Sequence, residues 1–206
     1  MTQDTTSSKL PLSLHLKESS TDEHERLDKR IMALAPFANR ERYARFVRMQ
    51  ARLQRVASPL YQDPALQASL PDLASRDRLQ AALADCADFH ISAAELAEDD
   101  AAAAAMTVSD LYTSLGWLYT VEGSNLGAAF LLKHAREHLG LSETFGARHL
   151  AGHEDGRGLH WRRFREAMDA LDLTDAQRAA AVQGALEAFA FARAGVEELL
   201  ADEAAA

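Results

Sequence analysis

Apolar side chains recur every three to four residues along most of this chain of 206 residues. In the first such stretch, one helix would place the apolar residues on a single face: Leu12, Leu16, Leu27, Ile31 and Leu34. Alanine is plentiful and β-branched residues are few, which favours helix over strand. No segment shows the alternation of a half-buried strand, and no internal repeat is present. These patterns predict a single all-α domain over residues 10–201, between a disordered N-terminal tail (1–9) and a frayed C-terminus (202–206).

Capping residues and prolines predict where the helices of the first half begin and end. Pro36 stops a first helix that starts at Leu12. Asn39 is a suitable N-cap for a second helix, which Pro59 is expected to end. The other elements expected here are a short helix around Ala65, a helix over 76–89 capped by Ser75, and a solvated loop or loose helical turn over 95–105.

The second half is expected to contain the longest apolar helix, which Ser109 would start. Gly123 and Gly127 are expected to interrupt this helix. A later helix opens with a capping box, Thr-Asp-Ala-Gln, at Thr174. An irregular connector is marked by Gly140, Gly146, Gly152, Gly156 and Gly158. The helices expected in this half cover residues 111–139, 159–171 and 174–200.

Charge and composition exclude several classes of protein. The formal net charge of -9 argues against a nucleic-acid partner, because phosphate binding needs a basic surface. Cys86 is the single cysteine, so neither an intramolecular disulfide nor a cysteine-rich zinc site can form. The N-terminus lacks the features of a signal peptide, and no apolar segment approaches the roughly 20 residues needed to cross a bilayer. We therefore expect a cytoplasmic protein without a membrane partner, with a monomer as the default.

A polar line runs up one side of the first helix. Its members, spaced by four, three and four residues, are Lys17, Thr21, His24 and Asp28. A neutral imidazole in such a line can ligate a metal, and Asp28 can accept the proton of the other ring nitrogen. The alternative is a half-exposed histidine flanked by charge pairs. Spacing alone favours that alternative, because few histidines are metal ligands.

Two glycines lie one turn apart in the long apolar helix. In a helix interior, each glycine costs about 1 kcal/mol relative to alanine. Gly123 and Gly127 therefore indicate that some group approaches the backbone closely. A flat cofactor over the helix fits this pattern, and so does close packing against another helix. The two explanations remain open at this point.

Three motifs resemble the heme oxygenase family and follow one another in the order found in its bacterial members. Leu16-Lys-x-Ser-x-Thr-x-x-His-x-x-x-Asp28 is similar to the proximal helix of that family. Glu122-Gly-Ser-Asn-Leu-Gly-Ala-Ala-Phe130 is similar to the bacterial form of its distal helix. Phe145-Gly-Ala-Arg-His-Leu150, followed by Trp161 and Phe164, is also similar to bacterial members. The resemblance covers nearly the whole chain after about Leu10.

The resemblance implies an enzyme that holds heme b between a proximal helix and a kinked distal helix. It implies that O2 and an external electron donor cleave heme to biliverdin, CO and Fe2+. His24 matches the proximal iron ligand, and Asp28 matches the position of its carboxylate partner, usually a glutamate. Gly123, Ser124 and Gly127 match the distal stretch over the heme, where relatives deliver protons through ordered water.

Other matches concern the edge of the heme. Lys17 and Tyr119 match propionate contacts in relatives that cleave the α-meso carbon, so the resemblance implies biliverdin IXα. Arg165 matches a further basic contact, and Phe189 a residue that faces the pocket. Relatives of the mammalian type carry an aspartate near Ser124, which this chain lacks. The resemblance further implies a ferredoxin- or flavodoxin-type electron donor.

Other functions would each require particular residues of this sequence. A heme carrier would use the same His24 pocket without productive oxygen activation. A thiaminase-II-like hydrolase would need Cys86 as its nucleophile, and that residue has no evident base at a fixed spacing. A di-iron carboxylate bundle requires paired Glu-x-x-His motifs, which do not occur. The histidine pairs 134/138 and 149/153 have helical spacing but no third zinc ligand.

Overall fold

Eight α-helices make up most of residues 9–108 and 110–201, the part of the chain that the computed structural model describes. The helices are α1 (Leu12–Ala33), α2 (Arg40–Gln62), α3 (Pro64–Ser69), α4 (Leu79–Asp88), α5 (Ala93–Ala104), α6 (Leu111–Leu139), α7 (Arg157–Asp169) and α8 (Asp175–Leu200). Short 3₁₀ turns occur at Leu73–Arg76 and Arg148–Leu150. Residues 9–108 and 110–201 contain no β-strand. The all-α prediction is confirmed. None of the described helices combines the length and apolarity needed to cross a membrane.

Helix α8 is the central packing element. It contacts α1, α2 and α6, and its buried face consists largely of small residues. Where α6 and α8 cross, the two backbones touch. A Cβ atom on Gly116 would lie 1.9 Å from the carbonyl oxygen of Ala181, and one on Gly184 would lie 2.0 Å from that of Thr113. Glycine at both positions is therefore required for this crossing.

Helices α1 and α6 both pack on α8 but make few contacts with each other. The core has two apolar clusters, and α1, α6 and α8 each contribute residues to both. One surrounds Trp117 and Tyr61, and the other surrounds Phe46 and Val47. This arrangement places the helix with the predicted proximal histidine beside the helix with the two predicted distal glycines, with α8 supporting both.

The prediction of a solvated loop or loose helical turn over 95–105 is wrong. The segment belongs to α5, which starts with a complete capping box between Ser92 and Glu95. Asp99 is fully buried and accepts hydrogen bonds from Arg48 (2.9 Å) and Arg52 (2.5 Å). The acidic, alanine-rich segment is thus a packed helix, because two arginines of α2 neutralise its inward carboxylate.

Two further boundaries in the first half are wrong. Helix α2 continues past Pro59 to Gln62, because buried Tyr61 anchors its last turn through a hydrogen bond to Glu122 (2.8 Å). Helix α4 starts at Leu79 rather than at 76. Arg76 instead ends a 3₁₀ turn, and the Asp77 carboxylate accepts from the Leu79 amide at 2.9 Å.

The second half follows the prediction more closely. Helix α6 spans 111–139 as expected, and Gly123 and Gly127 do not interrupt it. Asp110 caps α6, because its side chain accepts from the amides of Tyr112 and Thr113. Ser109, the predicted start of this helix, lies outside the described residues. Helix α7 is displaced by two residues from the predicted 159–171. The capping box at Thr174 is confirmed, with both of its hydrogen bonds present.

Candidate active site

On the proximal side, His24, Asp28 and Phe189 come together. The His24 side chain is 58% exposed, and its Nε2 atom lies 3.4 Å from an Asp28 carboxylate oxygen. The Phe189 ring, on α8, meets the imidazole edge-on at 5.9 Å between centroids. Asp28 engages one ring nitrogen and leaves the other for a ligand. The arrangement suits a histidine that is oriented by a carboxylate and accessible to a metal.

Neither of the two distal glycines lies against the backbone of another helix. A Cβ atom on Gly127 would meet no protein atom within 4 Å. On Gly123 it would make an ordinary contact with Trp161, 3.5 Å from Cη2. At Gly116 and Gly184, by contrast, the backbones of α6 and α8 touch. Backbone contact of that kind therefore does not explain Gly123 and Gly127.

The same face of α6 presents apolar side chains to solvent. At helical spacing, Leu126 and Phe130 share this face with the two glycines. Leu126 is 41% exposed and Phe130 is 54% exposed. Large exposed apolar residues beside two glycines on the same helix face form a surface for a flat, apolar ligand. The porphyrin of heme has that shape and chemistry.

A polar edge flanks the apolar face near α7. The Tyr119 and Trp161 rings lie 5.4 Å apart, and the Arg165 guanidinium lies 6.0 Å from the centroid of Trp161. Burial raises the pKa of the Tyr119 phenol, against the opposing effect of the Arg165 charge. The Arg165 Nε–H group is buried without a hydrogen-bond partner. An unsatisfied buried donor beside a phenol fits a propionate carboxylate, so these residues suit heme.

The remaining predicted residues are placed less tightly. Lys17 is exposed on α1. The Ser124 hydroxyl donates to the Val121 carbonyl at 2.7 Å, so its proton is committed to the helix. Its lone pairs remain available to accept a hydrogen bond.

Comparison with known proteins agrees with this geometry. The sequence model of the heme oxygenase family matches residues 10–198. Heme oxygenase PigA of Pseudomonas aeruginosa is 42% identical over 170 residues, which are 82% of this chain and 83% of the relative. This chain belongs to the heme oxygenase family.

Solved structures place the same fold in other bacteria. The NO- and CO-bound heme oxygenase of Neisseria meningitidis superimposes with a TM-score of 0.83 at 36% identity, covering 96% of both chains. The heme complex of heme oxygenase-1 from the cyanobacterium Synechocystis shares the fold, with a TM-score of 0.71, 18% identity and 94% coverage of both chains. The chain is thus a heme-degrading oxidoreductase with the family's all-α fold.

This heme oxygenase contains a buried ionic network that the sequence analysis missed. Glu122 is 1% exposed and accepts hydrogen bonds from Tyr61 (2.8 Å) and from Arg76 (2.8 Å). His160 Nε2 lies 3.9 Å from the same carboxylate. Burial raises the pKa of Glu122, against the opposing effects of Arg76 and Tyr61. A lone acidic residue in the apolar run 115–123 was the available signal, because a buried carboxylate requires a partner.

A second missed residue positions the proximal helix. Asp169, at the end of α7, accepts from the Ser13 amide (2.7 Å) and from its hydroxyl (2.8 Å). These bonds satisfy the first turn of α1, whose N-cap, Pro11, has no side-chain cap. Asp169 lies 156 residues from Ser13, so local capping rules do not find it.

The two histidine pairs are placed differently. His134 and His138 share α6, where their rings stack at 5.4 Å. His149 lies in a 3₁₀ turn and is buried, with Nδ1 2.8 Å from an Asp85 carboxylate oxygen. His153 lies beyond that turn, and its ring stacks on His160 at 3.9 Å. The pair 149/153 has helical spacing in the sequence but does not share a helix in the structure. In the described ranges, no group of three metal-ligating side chains forms a site.

Proposed function

We propose that this heme oxygenase binds heme b through His24 and uses O2 and an external reductant to convert it to biliverdin IXα, CO and Fe2+. One observation carries the proposal. Among the described residues, a Cβ atom on Gly123 would meet the edge of Trp161, and one on Gly127 would meet no atom within 4 Å. A porphyrin lying close to the helix needs such a surface without side chains at these two positions. The family match and the exposed imidazole on the adjacent helix support it.

On the proximal side, His24 would supply the nitrogen that binds the iron. Asp28 would hold the imidazole in one orientation and raise its basicity through the other ring nitrogen. The Phe189 ring, in edge contact with the imidazole, would restrict rotation and exclude water from that side. Phe189 is itself 7% exposed, so its position is fixed by the core.

On the distal side, the helix would supply room for O2 and no strong acid. Positions 123, 126, 127 and 130 are Gly, Leu, Gly and Phe, so this face carries no ionisable side chain there. Protons would then reach bound oxygen through water, held by backbone carbonyls and by the lone pairs of Ser124. We expect Ser124→Ala to lower the yield of biliverdin per electron consumed, while Ser19→Ala, at an exposed position of α1, leaves it unchanged. Equal coupled yields in the two variants would contradict a role for the hydroxyl.

The heme propionates would be held by Tyr119 and Arg165, with Lys17 reaching the other side of the same edge. A charge-assisted hydrogen bond contributes about 1.5–3 kcal/mol, enough to select one in-plane orientation of the heme. We expect Lys17→Ala to release a mixture of biliverdin isomers, resolved by chromatography. The matched control is Lys29→Ala, which removes an exposed lysine of the same helix and should leave IXα as the sole product. If both variants release only IXα, the assignment of Lys17 is wrong.

A heme titration tests the whole proposal. The His24→Ala variant should lose the Soret spectrum of a histidine-ligated heme and the conversion to biliverdin. His15→Ala, on the same helix, should retain both. An unchanged spectrum in His24→Ala would place the iron ligand elsewhere. With a ferredoxin system and air, the wild-type protein should bleach the Soret band and release CO, whereas a heme carrier keeps its pigment.

The hydrolase alternative is disfavoured by the state of the single cysteine. Cys86 is completely buried, and burial raises the pKa of its thiol to about 12. The thiolate that such a hydrolase needs is therefore absent at neutral pH. We further propose a ferredoxin- or flavodoxin-type donor, a cytoplasmic location and a monomeric state. Size-exclusion chromatography of the heme complex tests the monomeric state.

A further inference from the structure

Helix α7 holds the distal stretch of α6 at three successive points. Next to Glu122 lies His160, at 3.9 Å from the carboxylate, and next to Gly123 lies the Trp161 ring. The third point is the backbone of Asn125, whose carbonyl oxygen accepts a hydrogen bond of 2.9 Å from Arg157 Nη1. These contacts span the part of α6 that begins the distal glycine motif.

Arg157 joins the distal helix to the connector that follows it. Its second terminal nitrogen, Nη2, donates to the Leu150 carbonyl in the connector. Gly152 lies alongside the side chain, and a Cβ there would be 3.7 Å from Nε. The turn into α7 is made by Gly156, at φ +86°, which is a backbone conformation that favours glycine. The connector is thus shaped around the Arg157 side chain.

The bond to Asn125 is additional to the helix. A helical carbonyl already accepts from the amide four residues ahead, and its second lone pair is free to accept from a side chain. Elsewhere in α6, a side chain from outside the helix reaches the carbonyl of Leu139, at the C-terminal end, where Arg40 donates at 3.0 Å. The bond to Asn125 falls between Gly123 and Gly127, where two glycines lower the helix propensity. The part of α6 in which two glycines lower the helix propensity is therefore held by a hydrogen bond from outside the helix.

We propose that Arg157 is a positioning residue that fixes the distance of the distal stretch from the heme. The proposal rests on the proposed function for the identity of the ligand, but the anchor itself is a property of the protein alone. Arg157 is suited to the role because its rigid planar fork presents a separate terminal nitrogen to each carbonyl, whereas a lysine has a single nitrogen on a flexible stem. Its loss should loosen the stretch locally and leave the rest of the fold intact.

Hydrogen exchange of the heme-free protein tests the anchor. We expect Arg157→Ala to raise amide exchange in residues 123–130 at least about tenfold, given the usual strength of hydrogen bonds to charged groups. Peptides from α2 and α8 should exchange as in the wild type. The matched control is Arg163→Ala, on the same helix, which removes an exposed ion pair with Asp155 and should change nothing in 123–130. Equal exchange in both variants would overturn the proposal.

Dissociation of CO from the ferrous heme complex tests the consequence for the pocket. A loosened distal stretch should release CO several-fold faster in Arg157→Ala. The variant Arg157→Lys, which keeps the charge but has a single donor nitrogen in place of the planar fork, should fall between Arg157→Ala and the wild type. Altered exchange with unaltered CO release would overturn the positioning role. Should Arg157→Ala fail to fold, Arg157→Lys undergoes both measurements with the same criteria. If heme binding does not depend on His24, the proposed function fails while the exchange result for the anchor stands.

Discussion

Glu122 is buried one residue before the distal glycines, and the groups around it determine the cost of changing it. Its carboxylate is matched by Arg76 and Tyr61, and the same arginine donates to the His160 carbonyl at 3.2 Å. Removing one partner of a buried ion pair leaves an uncompensated charge in a medium of low polarity. This network therefore joins α2, the 3₁₀ turn, α6 and α7 directly beneath the candidate site.

We expect Arg76→Met to lower the free energy of unfolding by about 3–5 kcal/mol, because Glu122 would remain buried without its cation. Urea denaturation of the heme-free protein measures this change. The control is Arg162→Met, which breaks an exposed contact with Glu166 and should change stability by less than about 1 kcal/mol. Similar losses in both variants would show that the buried pair is not specially stabilising.

Cys86 provides a second test at the scale of one residue. Because it is fully buried and its thiol pKa is raised to about 12, the native protein should not react with a thiol reagent at pH 8. Full reaction is expected only in denaturant. Rapid stoichiometric labelling of the native protein would contradict this burial and revive a nucleophilic role.

At the scale of the helix, the glycines of α6 and α8 belong to two kinds. Gly116 and Gly184 allow backbone contact between helices, whereas Gly127 has no protein atom within reach of an added Cβ. Sequence alone does not separate these kinds, because both occur as small residues in apolar helices. The distinction depends on what lies opposite each glycine in the fold.

This difference predicts opposite effects of the same substitution. Gly184→Ala should destabilise the protein by several kcal/mol, because its Cβ would overlap the Thr113 carbonyl at 2.0 Å. Gly127→Ala should stabilise the heme-free protein by up to about 1 kcal/mol through helix propensity. The same Gly127→Ala variant should bind heme more weakly. Thermal unfolding and heme titration of both variants provide the measurements, and undiminished heme affinity in Gly127→Ala would show that heme does not lie against this residue.

The helices that were predicted well are those whose patterns are local. Helix α6 and the capping box of α8 depend on neighbouring residues, and both were placed almost to the residue. The low complexity of segment 95–105 favours a solvated loop or loose helical turn, yet the segment is a helix whose Asp99 is neutralised by arginines about 50 positions away. Pro59 did not end α2, because the fold fixes Tyr61 from outside the helix. Both predictions were wrong because the contact that fixes each segment comes from a residue far away in the sequence.

At the scale of the whole molecule, the motifs predicted the candidate site residues, whereas their tertiary partners required the structure. The resemblance predicted Asp28 as the partner of His24 and Phe189, 165 positions from His24, as a residue facing the pocket, and the structure brings the three side chains together. It did not identify Arg76, Asp169 or Arg157, since none of them belongs to a short motif. These residues act by holding the helices of the site, which no local pattern records.

Acid should weaken the fold through His160. Burial, with Arg76 and His153 nearby, lowers its pKa from 6.5 to about 4, and the Glu122 carboxylate lies 3.9 Å away. Between these two pKa values the unfolded chain binds a proton that the native protein does not, so stability falls as the pH drops from 6.5 to 4. The loss amounts to roughly 3 kcal/mol.

Denaturation of wild type and His160→Gln across pH 7 to 4.5 checks this slope. The difference between the two proteins isolates His160, since carboxylates with lowered pKa values, such as that of Asp85, lose stabilisation in both as the pH falls. We expect the variant to have the flatter profile. Parallel profiles would mean that His160 titrates normally in the native protein.

The central place of α8 has a consequence for biosynthesis. Because α1, α2 and α6 all pack on α8, and both core clusters include residues of α8, the earlier helices cannot complete the core without it. A nascent chain on the ribosome therefore keeps part of the apolar surface of these helices uncovered until about residue 200 has emerged. Truncation within α8 should yield a product that chaperones retain and proteases degrade, rather than a smaller enzyme.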